Sequence, residues 1–378
     1  MSPGSDVARP LRVLLVTPDF PPAHGGIQRL LYEITSHMPS AEVRVVTLST
    51  EGAAEFDRSS RTPTRRLPAV GRRPLVRNAM LNVSLAFFRS SWRPDVILNG
   101  HVVTAPAAVV LARRFKVRQV LYTYGKEVEG RPRTARWAMR RAHAGVTVAA
   151  YTRGAMERVA GGLLPLEVRV VHPGTKPPSE LPSTRAQRPT VLTTARLRDW
   201  YKGHDVMVHA MEKVVRRVPD ARWVVIGDGR LRPELEQRCA DRGLAEAVTF
   251  LGSVDDATRD HWLGQAHVFA MPARYPEGEV GGEGFPVVYL EAAAWGLPTL
   301  AGNVGGPAEA VLDRQTGLLV NPESADEVAD ALSALLLDPS LAATYGVAAR
   351  NRVLEEFTWE SVAAQLESLL RDVAGVEE

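Results

Sequence analysis

The chain has 378 residues, 45% hydrophobic and 24% charged, a composition typical of a globular protein with room for two domains. No run approaches the roughly 20 uncharged apolar residues of a membrane span, and the first ten residues lack the apolar core of a signal peptide. A single cysteine, Cys239, excludes an internal disulfide and a cysteine-based metal site, and it fits a reducing cytoplasm.

Charge is divided unevenly along the chain. Residues 1–180 hold 27 Lys/Arg against 13 Asp/Glu, whereas residues 181–378 hold 19 against 30. Most of the positive excess falls between Arg58 and Arg141. Such a block favours an anionic partner: a membrane surface, a phosphorylated acceptor or nucleic acid. The alternative is an arginine-rich solvated surface.

Apolar runs alternate with helical patterns in the first half of the chain. The predicted strands are LRVLLVT, VRVVTL, DVILNG, QVLYTYG and GVTVAA, with helices such as IQRLLYEITSHM and TAPAAVVLARRF between them. This rhythm is typical of βαβ units with a parallel sheet. It stops at residues 172–189, a stretch with five prolines that we interpret as a linker.

The rhythm restarts after the linker. TVLTTARL, ARWVVIGDG, VTFLG, HVFAMP and LPTLAG predict strands, a helix is predicted over 205–218, and helical segments close the chain at 324–337, 340–356 and 359–373. We therefore predict two doubly wound α/β domains, 1–175 and 176–359, facing one another across a cleft. A last helix, at about 360–378, is expected to pack back on the first domain.

Open α/β sheets bind ligands at the carboxyl ends of their strands, so the loops after the strands are the candidate sites. In residues 278–298, Glu283 and Glu291 are eight positions apart, about 12 Å along one helix, too far to act as a pair on one small group. Pro286 suits the first helical turn, and the free amides near Phe285 and Val287 would form an anion site. The alternative is two unrelated surface glutamates.

Two further loops follow strands of the second half. In ARLRDWYKGHD, Arg196 and Lys202 together can neutralise a diphosphate, although lone surface bases are common. Gly227, Asp228 and Gly229 lack the spacing of a dinucleotide-binding loop, so a tight strand-to-helix turn is the simpler interpretation.

Taken in order, these motifs resemble those of the retaining glycosyltransferases of family four, which have the GT-B fold. The resemblance covers nearly the whole chain. It rests on Gly25-Gly26, Arg196 with Lys202, GDG at 227–229, FLG at 250–252, EGFPVVYLEAAAWGLP with Glu283 and Glu291, and GGPAEAV…TGLLV at 305–320. DFPPAHGGIQ, PARYPEGEVGGEGFPVVYLEA and the basic first domain look most like the mannosyltransferases that act on phosphatidylinositol mannosides.

The resemblance implies a nucleoside-diphosphate sugar as donor, with no metal and no cofactor. Arg196 and Lys202 would bind the diphosphate, Glu283 the transferred sugar and Glu291 the ribose. The Ser253-Val254 backbone would contact the base. The other donor contacts are expected from Gly25, Gly26, Gly227, Phe285, Pro286 and Val287.

Members of this family often carry a histidine at the position that aligns with Tyr124. A tyrosine, with a pKa near 10, would be a poor proton shuttle at neutral pH, so the resemblance places Tyr124 at the reaction centre without supplying a protein base. Gln28, Arg29 and His101 are expected to face the acceptor.

The predicted function is transfer of a hexose with retention, with GDP-mannose and a phosphatidylinositol mannoside as the leading donor and acceptor. The alternatives are a UDP- or GDP-sugar used on a soluble small molecule or secondary metabolite, and a non-catalytic two-lobed protein that binds nucleotide sugars. Nucleic-acid binding is disfavoured because no recognition motif occurs.

The chain is expected in the cytoplasm, with a peripheral contact at the inner face of the membrane. That contact would use two basic segments, Arg72–Arg93 and Arg131–Arg141. The alternative is that these are core-facing helices with solvated arginines.

Overall fold

The computed structural model describes residues 9–68, 74–275, 282 and 284–376, apart from the side chains of 74 and 75. The chain divides into two compact units. The first reaches Gly174 and resumes at Trp359, and the second is Thr175–Thr358.

In its described part, the first unit holds a seven-stranded parallel sheet. The strands are β1 (Leu11–Val16), β2 (Ala41–Leu48), β3 (Thr64–Leu67), β4 (Val96–Asn99), β5 (Arg118–Thr123), β6 (Ala144–Thr147) and β7 (Glu167–Val170). Their spatial order is β3-β2-β1-β4-β5-β6-β7. The helices before the linker are α1 (Gly26–Ser36), α2 (Ala53–Ser59), α3 (Pro74–Ala86), α4 (Ala105–Phe115), α5 (Lys126–Gly130), α6 (Pro132–Met139) and α7 (Ala150–Ala160).

The second unit, where it is described, repeats the architecture with a six-stranded parallel sheet. Its strands are β8 (Thr190–Thr194), β9 (Arg222–Ile226), β10 (Val248–Gly252), β11 (Val268–Met271), β12 (Thr299–Gly302) and β13 (Gly317–Val320), in the order β10-β9-β8-β11-β12-β13. Its helices are α8 (His204–Arg217), α9 (Arg232–Ala240), α10 (Asp256–Gln265), α11 (Val287–Ala294), α12 (Gly305–Ala310), α13 (Ala325–Leu337) and α14 (Pro339–Glu356).

The predicted alternation of parallel strands and helices is confirmed in both units. Central strands such as β1 are apolar almost throughout because helices cover both faces of a parallel sheet. The predicted strands did not include β3, β7 and β13. The strands β3 and β7 lie at the two edges of the first sheet and carry charged residues there, and β13 is an edge strand of the second sheet. The placement of Pro286 in the first helical turn was wrong: it lies one position before α11, as the N-cap.

The last helix, α15 (Trp359–Ala374), belongs to the first unit. Its apolar face is buried, and a buried ion pair fixes it to the turn before β2. Arg371 Nη2 lies 2.8 Å from Glu367 Oε1 and donates to the carbonyl oxygen of Ser40 at 2.9 Å. Glu367 Oε2 accepts from the main-chain N–H of Ser40 at 3.1 Å, so the pair leaves few polar groups of this turn unsatisfied.

The chain passes between the units at two places, after Gly174 and after Thr358. Within the second unit, the N–H of Thr175 donates to the carbonyl oxygen of Phe357 at 2.8 Å, and Thr175 forms a parallel bridge with Thr358. The first and last residues of this unit therefore lie side by side.

Among the described residues no single helix is long and apolar enough to cross a bilayer. The helices α13 and α14 reach the required length and apolarity only as a pair bent by 98°.

Candidate active site

The strand order of each sheet marks one place where loops diverge. In the first unit the chain builds outward from β1 in one direction and from β4 in the other, and in the second unit it does so from β8 and β11. Ligands bind at such switch points because the loops at the carboxyl ends of the two strands leave in opposite directions and open a crevice. The β1, β4, β8 and β11 loops are therefore the candidate sites.

The β1 loop leads into α1, with Gly25 as its N-cap. Gly25, Gly26 and Arg29 are exposed, and a Cβ built on Gly26 would meet nothing within 4 Å. The predicted acceptor residue Gln28 is half-buried and donates from Nε2 to Asp19 Oδ1 at 2.9 Å. The start of α1 thus presents main-chain N–H groups beside a carboxylate that the sequence did not single out.

His101 follows β4 and is held by the backbone. Its Nδ1 accepts from the N–H of Val103 at 3.0 Å, so a neutral ring carries its proton on Nε2. Burial, together with the charge of Arg131, lowers the pKa of His101 to about 4. At neutral pH the ring is therefore an uncharged hydrogen-bond donor.

Tyr124 lies one residue beyond β5 and is buried. Its hydroxyl donates to the carbonyl oxygen of Gly100 at 3.0 Å, and its ring stacks on Tyr122 with centroids 5.0 Å apart. Burial, then the nearby charges of Tyr122 and Glu127, raise the pKa of Tyr124 well above its ordinary value. Tyr124 therefore stays protonated and cannot serve as a general base at neutral pH.

Two carboxylates beside these groups were missed by sequence reasoning. Asp19 lies in the β1 loop, and Glu127 accepts from the N–H of Tyr124 at the start of α5. Burial raises the pKa of each carboxyl group, and Arg77 of α3 acts against this shift at Asp19. Their position in loops after strands could have pointed to them. A single carboxylate in a loop is usually solvated, however, and its burial becomes apparent only in the folded structure.

In the second unit, the GDG turn supports the loop that carries Arg196. The N–H of Leu197 donates to the carbonyl oxygen of Asp228 at 3.0 Å, on the residue after Arg196. Gly227 has φ 133°, and a Cβ there would lie 2.0 Å from the carbonyl oxygen of Ala195. Only glycine fits this close approach, so Gly227 fixes the backbone on which the exposed Arg196 stands. Its predicted contact with the donor stays a prediction.

Lys202 lies at the end of a 3₁₀ turn, Trp200–Lys202, directly before α8. The next residue, Gly203, has φ 79°, and a Cβ there would lie 2.1 Å from the carbonyl oxygen of Pro272. Arg274 joins the same two loops by donating to both oxygens of Asp205, at 3.0 and 2.8 Å. The β8 and β11 loops are thus clamped together, with Lys202 at the junction.

The remaining predicted donor residues surround the same edge of the second sheet. Ser253 and Val254 follow β10, whose last residue, Gly252, accepts from the N–H of Gly227 at 2.8 Å. Glu291 is half-buried on α11, and Val287 is that helix's first residue. Phe285 is buried, and its ring lies 6.1 Å from that of Phe357 between centroids, so the ring is packed in the protein. Glu283 lies outside the described residues.

The described residues contain no group of three or more His, Cys, Asp or Glu side chains arranged to hold a metal ion. Transfer without a metal stays a prediction. The cations expected at a diphosphate, Arg196 and Lys202, stand on the same loop.

Comparison with known proteins identifies this architecture. A model described as "Glycosyltransferase Family 4" matches residues 24–177, and one described as "Glycosyl transferases group 1" matches residues 188–338. The chain is 34% identical to a GDP-mannose-dependent α-(1-6)-phosphatidylinositol monomannoside mannosyltransferase of Mycobacterium tuberculosis, over 95% of this chain and 98% of that protein. A protein of the same name from Mycolicibacterium smegmatis is 33% identical over the same shares.

A solved structure has the same fold. Sucrose-phosphate synthase from Thermosynechococcus elongatus superposes with a TM-score of 0.76 at 22% identity, covering 97% of this chain and 100% of that one. With two Rossmann-like parallel-sheet units, a match to both family models and relatives aligned over nearly their whole length, the chain is a glycosyltransferase of family four with the GT-B fold.

Proposed function

We propose that this glycosyltransferase moves mannose from GDP-mannose, with retention, to a hydroxyl group of a phosphatidylinositol mannoside. The named relatives support the donor and the acceptor class. The observation that carries the acceptor is the positive charge at the first unit's candidate site: Arg77 acts on Asp19, and Arg131 acts on His101. These guanidinium groups would meet the phosphodiester of an inositol lipid, while Asp19, Gln28 and His101 would bind hydroxyl groups.

Each step of the proposed transfer has a group to support it. The bond between mannose C1 and the diphosphate breaks with its electron pair leaving on GDP, and Arg196 and Lys202 stabilise the growing negative charge. The acceptor oxygen bonds to C1 on the same face, and its proton passes to the departing phosphate. The protonated, buried Tyr124 fits a route that uses no protein base. Glu283 would stabilise the charge at C1, and Glu291 would hold the ribose.

A donor and acceptor panel tests this proposal. The purified enzyme is incubated with GDP-mannose or UDP-glucose, with phosphatidylinositol monomannoside or its deacylated form, and products are identified by mass spectrometry. We expect one added mannose on the intact lipid from GDP-mannose. Turnover of UDP-glucose alone contradicts the donor, product on the deacylated form alone contradicts the lipid acceptor, and nucleotide binding without product favours a non-catalytic protein.

Substitution of Gly26 tests the proposed approach of the β1 loop to the donor diphosphate. Because a Cβ at Gly26 meets no atom within 4 Å, Gly26→Val is expected to leave the melting temperature within a few degrees of the native value. Turnover is expected to fall by tenfold or more, because the branched side chain would occupy the space that the diphosphate needs. The matched control is Gly154→Val, in α7 of the same unit. Equal turnover in the two variants would show that Gly26 serves only the turn and does not approach the diphosphate.

We further propose that α3 contacts an anionic membrane. Its exposed face carries an apolar stripe at helical spacing, formed by Val76, Met80, Val83 and Phe87, of which Phe87 is 77% exposed. Arg89 and Arg93, which follow the helix, are exposed as well. Apolar side chains flanked by arginines are typical of helices that lie in the interface of an anionic bilayer. Arg72 and Arg73 lie outside the described residues, and contact through Arg131–Arg141 stays a prediction.

Phe87→Glu is expected to lower binding to vesicles of phosphatidylcholine and phosphatidylinositol by at least fivefold in a pelleting assay, because it places a charge in the apolar stripe. Leu163→Glu is the matched control, since Leu163 is 98% exposed in the same unit but away from α3. Equal losses in the two variants, or none in either, would rule out docking through α3.

A further inference from the structure

A polar cavity lies in the first unit, away from the candidate active site. It has a volume of about 890 Å³, and the residues just before β1, β4, β5 and β6 line it together with the ends of α4 and α15. It therefore opens at the amino edge of the sheet, whereas Asp19, His101 and Tyr124 follow the carboxyl ends. A six-residue strand such as β5 is about 20 Å long, so the two sites are separate.

The charged lining of this cavity is almost entirely positive. It consists of Arg9, Arg113, Lys116, Arg118 and Arg141 with one acid, Asp95. That acid is already neutralised: Arg9 donates to both of its oxygens, at 2.8 and 3.0 Å, and the N–H of Arg12 donates to it at 3.0 Å. The other four cations form no ion pair with a carboxylate within the described part of the chain.

Two of these cations are held in place by contacts that leave most of their N–H groups available. Arg118 Nη1 donates to the carbonyl oxygen of Val373 at 3.2 Å. Arg141 Nη1 donates to the carbonyl oxygen of Trp137 at 3.5 Å, and the guanidinium lies over the Trp137 ring, 4.2 Å from its centroid. An arginine has five N–H donors, so each remains able to bind an oxyanion with a fork of two.

Lys116, which lines the cavity, has an unusual backbone conformation. It ends α4 with φ 60° and ψ 44°, the left-handed region where glycine is strongly preferred. Strained residues of this kind often mark functional positions. Here the residue in the left-handed conformation is one of the cations that line the cavity.

A neutral donor completes the lining. His143 Nδ1 accepts from the N–H of Gln119 at 3.2 Å, so the uncharged ring carries its proton on Nε2. Burial and the charge of Arg118 lower the pKa of His143, which keeps the ring uncharged at neutral pH.

We propose that this cavity binds a small ligand that carries more than one phosphate group. Guanidinium forks and an ammonium group match phosphate oxygens, and the volume lies in the usual range of small-molecule sites. The site goes beyond the proposed transfer, because it lies at the other edge of the sheet from the donor and acceptor groups. The phosphates belong either to a soluble phosphate ester or to a phosphorylated lipid headgroup.

Lys116→Gly provides a test that misfolding cannot mimic, because glycine relieves the left-handed strain while it removes the charge. The matched control is Arg314→Gly in the second unit, another cation at a left-handed position, with φ 55° and an 83% exposed side chain. We expect both variants to melt at or above the native temperature. Binding of inorganic pyrophosphate is measured by calorimetry with saturating GDP present, so that the donor site is blocked. Binding to vesicles of phosphatidylcholine with phosphatidylinositol 4-phosphate is measured in parallel.

For the soluble source, we expect Lys116→Gly to weaken pyrophosphate binding about tenfold and Arg314→Gly to leave it unchanged. If the ligand is a phosphorylated lipid headgroup, we expect Lys116→Gly to bind the vesicles about tenfold more weakly than Arg314→Gly, and the two variants to bind pyrophosphate alike. The proposal is overturned if the two variants bind alike in both assays, or if GDP abolishes the pyrophosphate binding and the vesicles show no difference. Mannose transfer is assayed separately, so the binding results can be interpreted even where no transfer is detected.

Discussion

Lys202→Ala is expected to lower kcat/KM for transfer by about 10²- to 10³-fold, a loss of roughly 3–4 kcal/mol of transition-state stabilisation. The ammonium group would face a diphosphate whose charge grows as the sugar leaves, so it stabilises the transition state more than bound donor. The affinity for intact GDP-mannose should therefore fall much less than kcat. Both quantities are measured on one preparation, by nucleotide release and by calorimetry.

The matched control is Lys213→Ala. Lys213 lies on α8, the helix that begins two residues after Lys202. Its ammonium group forms an ion pair with Asp326 on the protein surface. Removal of such an exposed pair should change stability little, because water screens the two charges, and should leave turnover intact. If Lys202→Ala retains native kcat, or loses kcat and affinity for GDP-mannose to the same extent, Lys202 does not stabilise the transition state preferentially.

Glu367→Ala is expected to have the largest effect on stability, about 3–5 kcal/mol of the free energy of unfolding. The side chains of Glu367 and Arg371 are only 4% and 10% exposed, so the substitution leaves a buried guanidinium without its carboxylate. It also removes the acceptor for the N–H of Ser40. Urea denaturation monitored by circular dichroism measures the loss.

Two other variants separate the buried charge from simple loss of contacts. Glu367→Leu combined with Arg371→Met should recover most of the stability, because no unpaired charge stays buried. Glu360→Ala removes a 75% exposed carboxylate on the same helix, near His37, and should change stability by less than about 1 kcal/mol. An equal loss for Glu360→Ala and Glu367→Ala would show that burial of the pair does not matter.

Local sequence pattern was sufficient for most of the fold. The apolar runs are strands because both sheet faces are buried, and α8 was predicted at 205–218 and lies at His204–Arg217. The short edge strands β3 and β7 escaped prediction because their charged side chains interrupt the apolar signal. The edge strand β13 is apolar but only four residues long, too short for a clear pattern.

A site residue could be predicted from the sequence only where a side chain of suitable chemistry lies in a loop that follows a strand. Arg196 and Lys202 satisfied that rule. Asp19 and Glu127 satisfied it too, but what distinguishes them is the burial that raises the pKa of each carboxyl group, and burial arises only in the folded chain. Gly227 looked like a turn, and only the three-dimensional contact with Ala195 links it to the Arg196 loop.

The cavity at the amino edge could not be predicted from the sequence, although four of its five cations lie between Arg113 and Arg141 in the basic block. The fifth, Arg9, is more than a hundred residues away along the chain. These side chains come together only when the parallel strands place the residues before β1, β5 and β6 at one edge of the sheet.

The pairing of Thr175 with Thr358 also bears on how such an enzyme diversifies. Because the ends of the second unit are neighbours, the first unit is one fold interrupted by a self-contained insert, the arrangement that best tolerates domain exchange. Recombination at these two points would replace the whole second half as a cassette and leave α15 packed on its own sheet. With the donor bound by the second unit and the acceptor by the first, as we propose, such an exchange would change the sugar donor in one genetic event and leave the acceptor site intact.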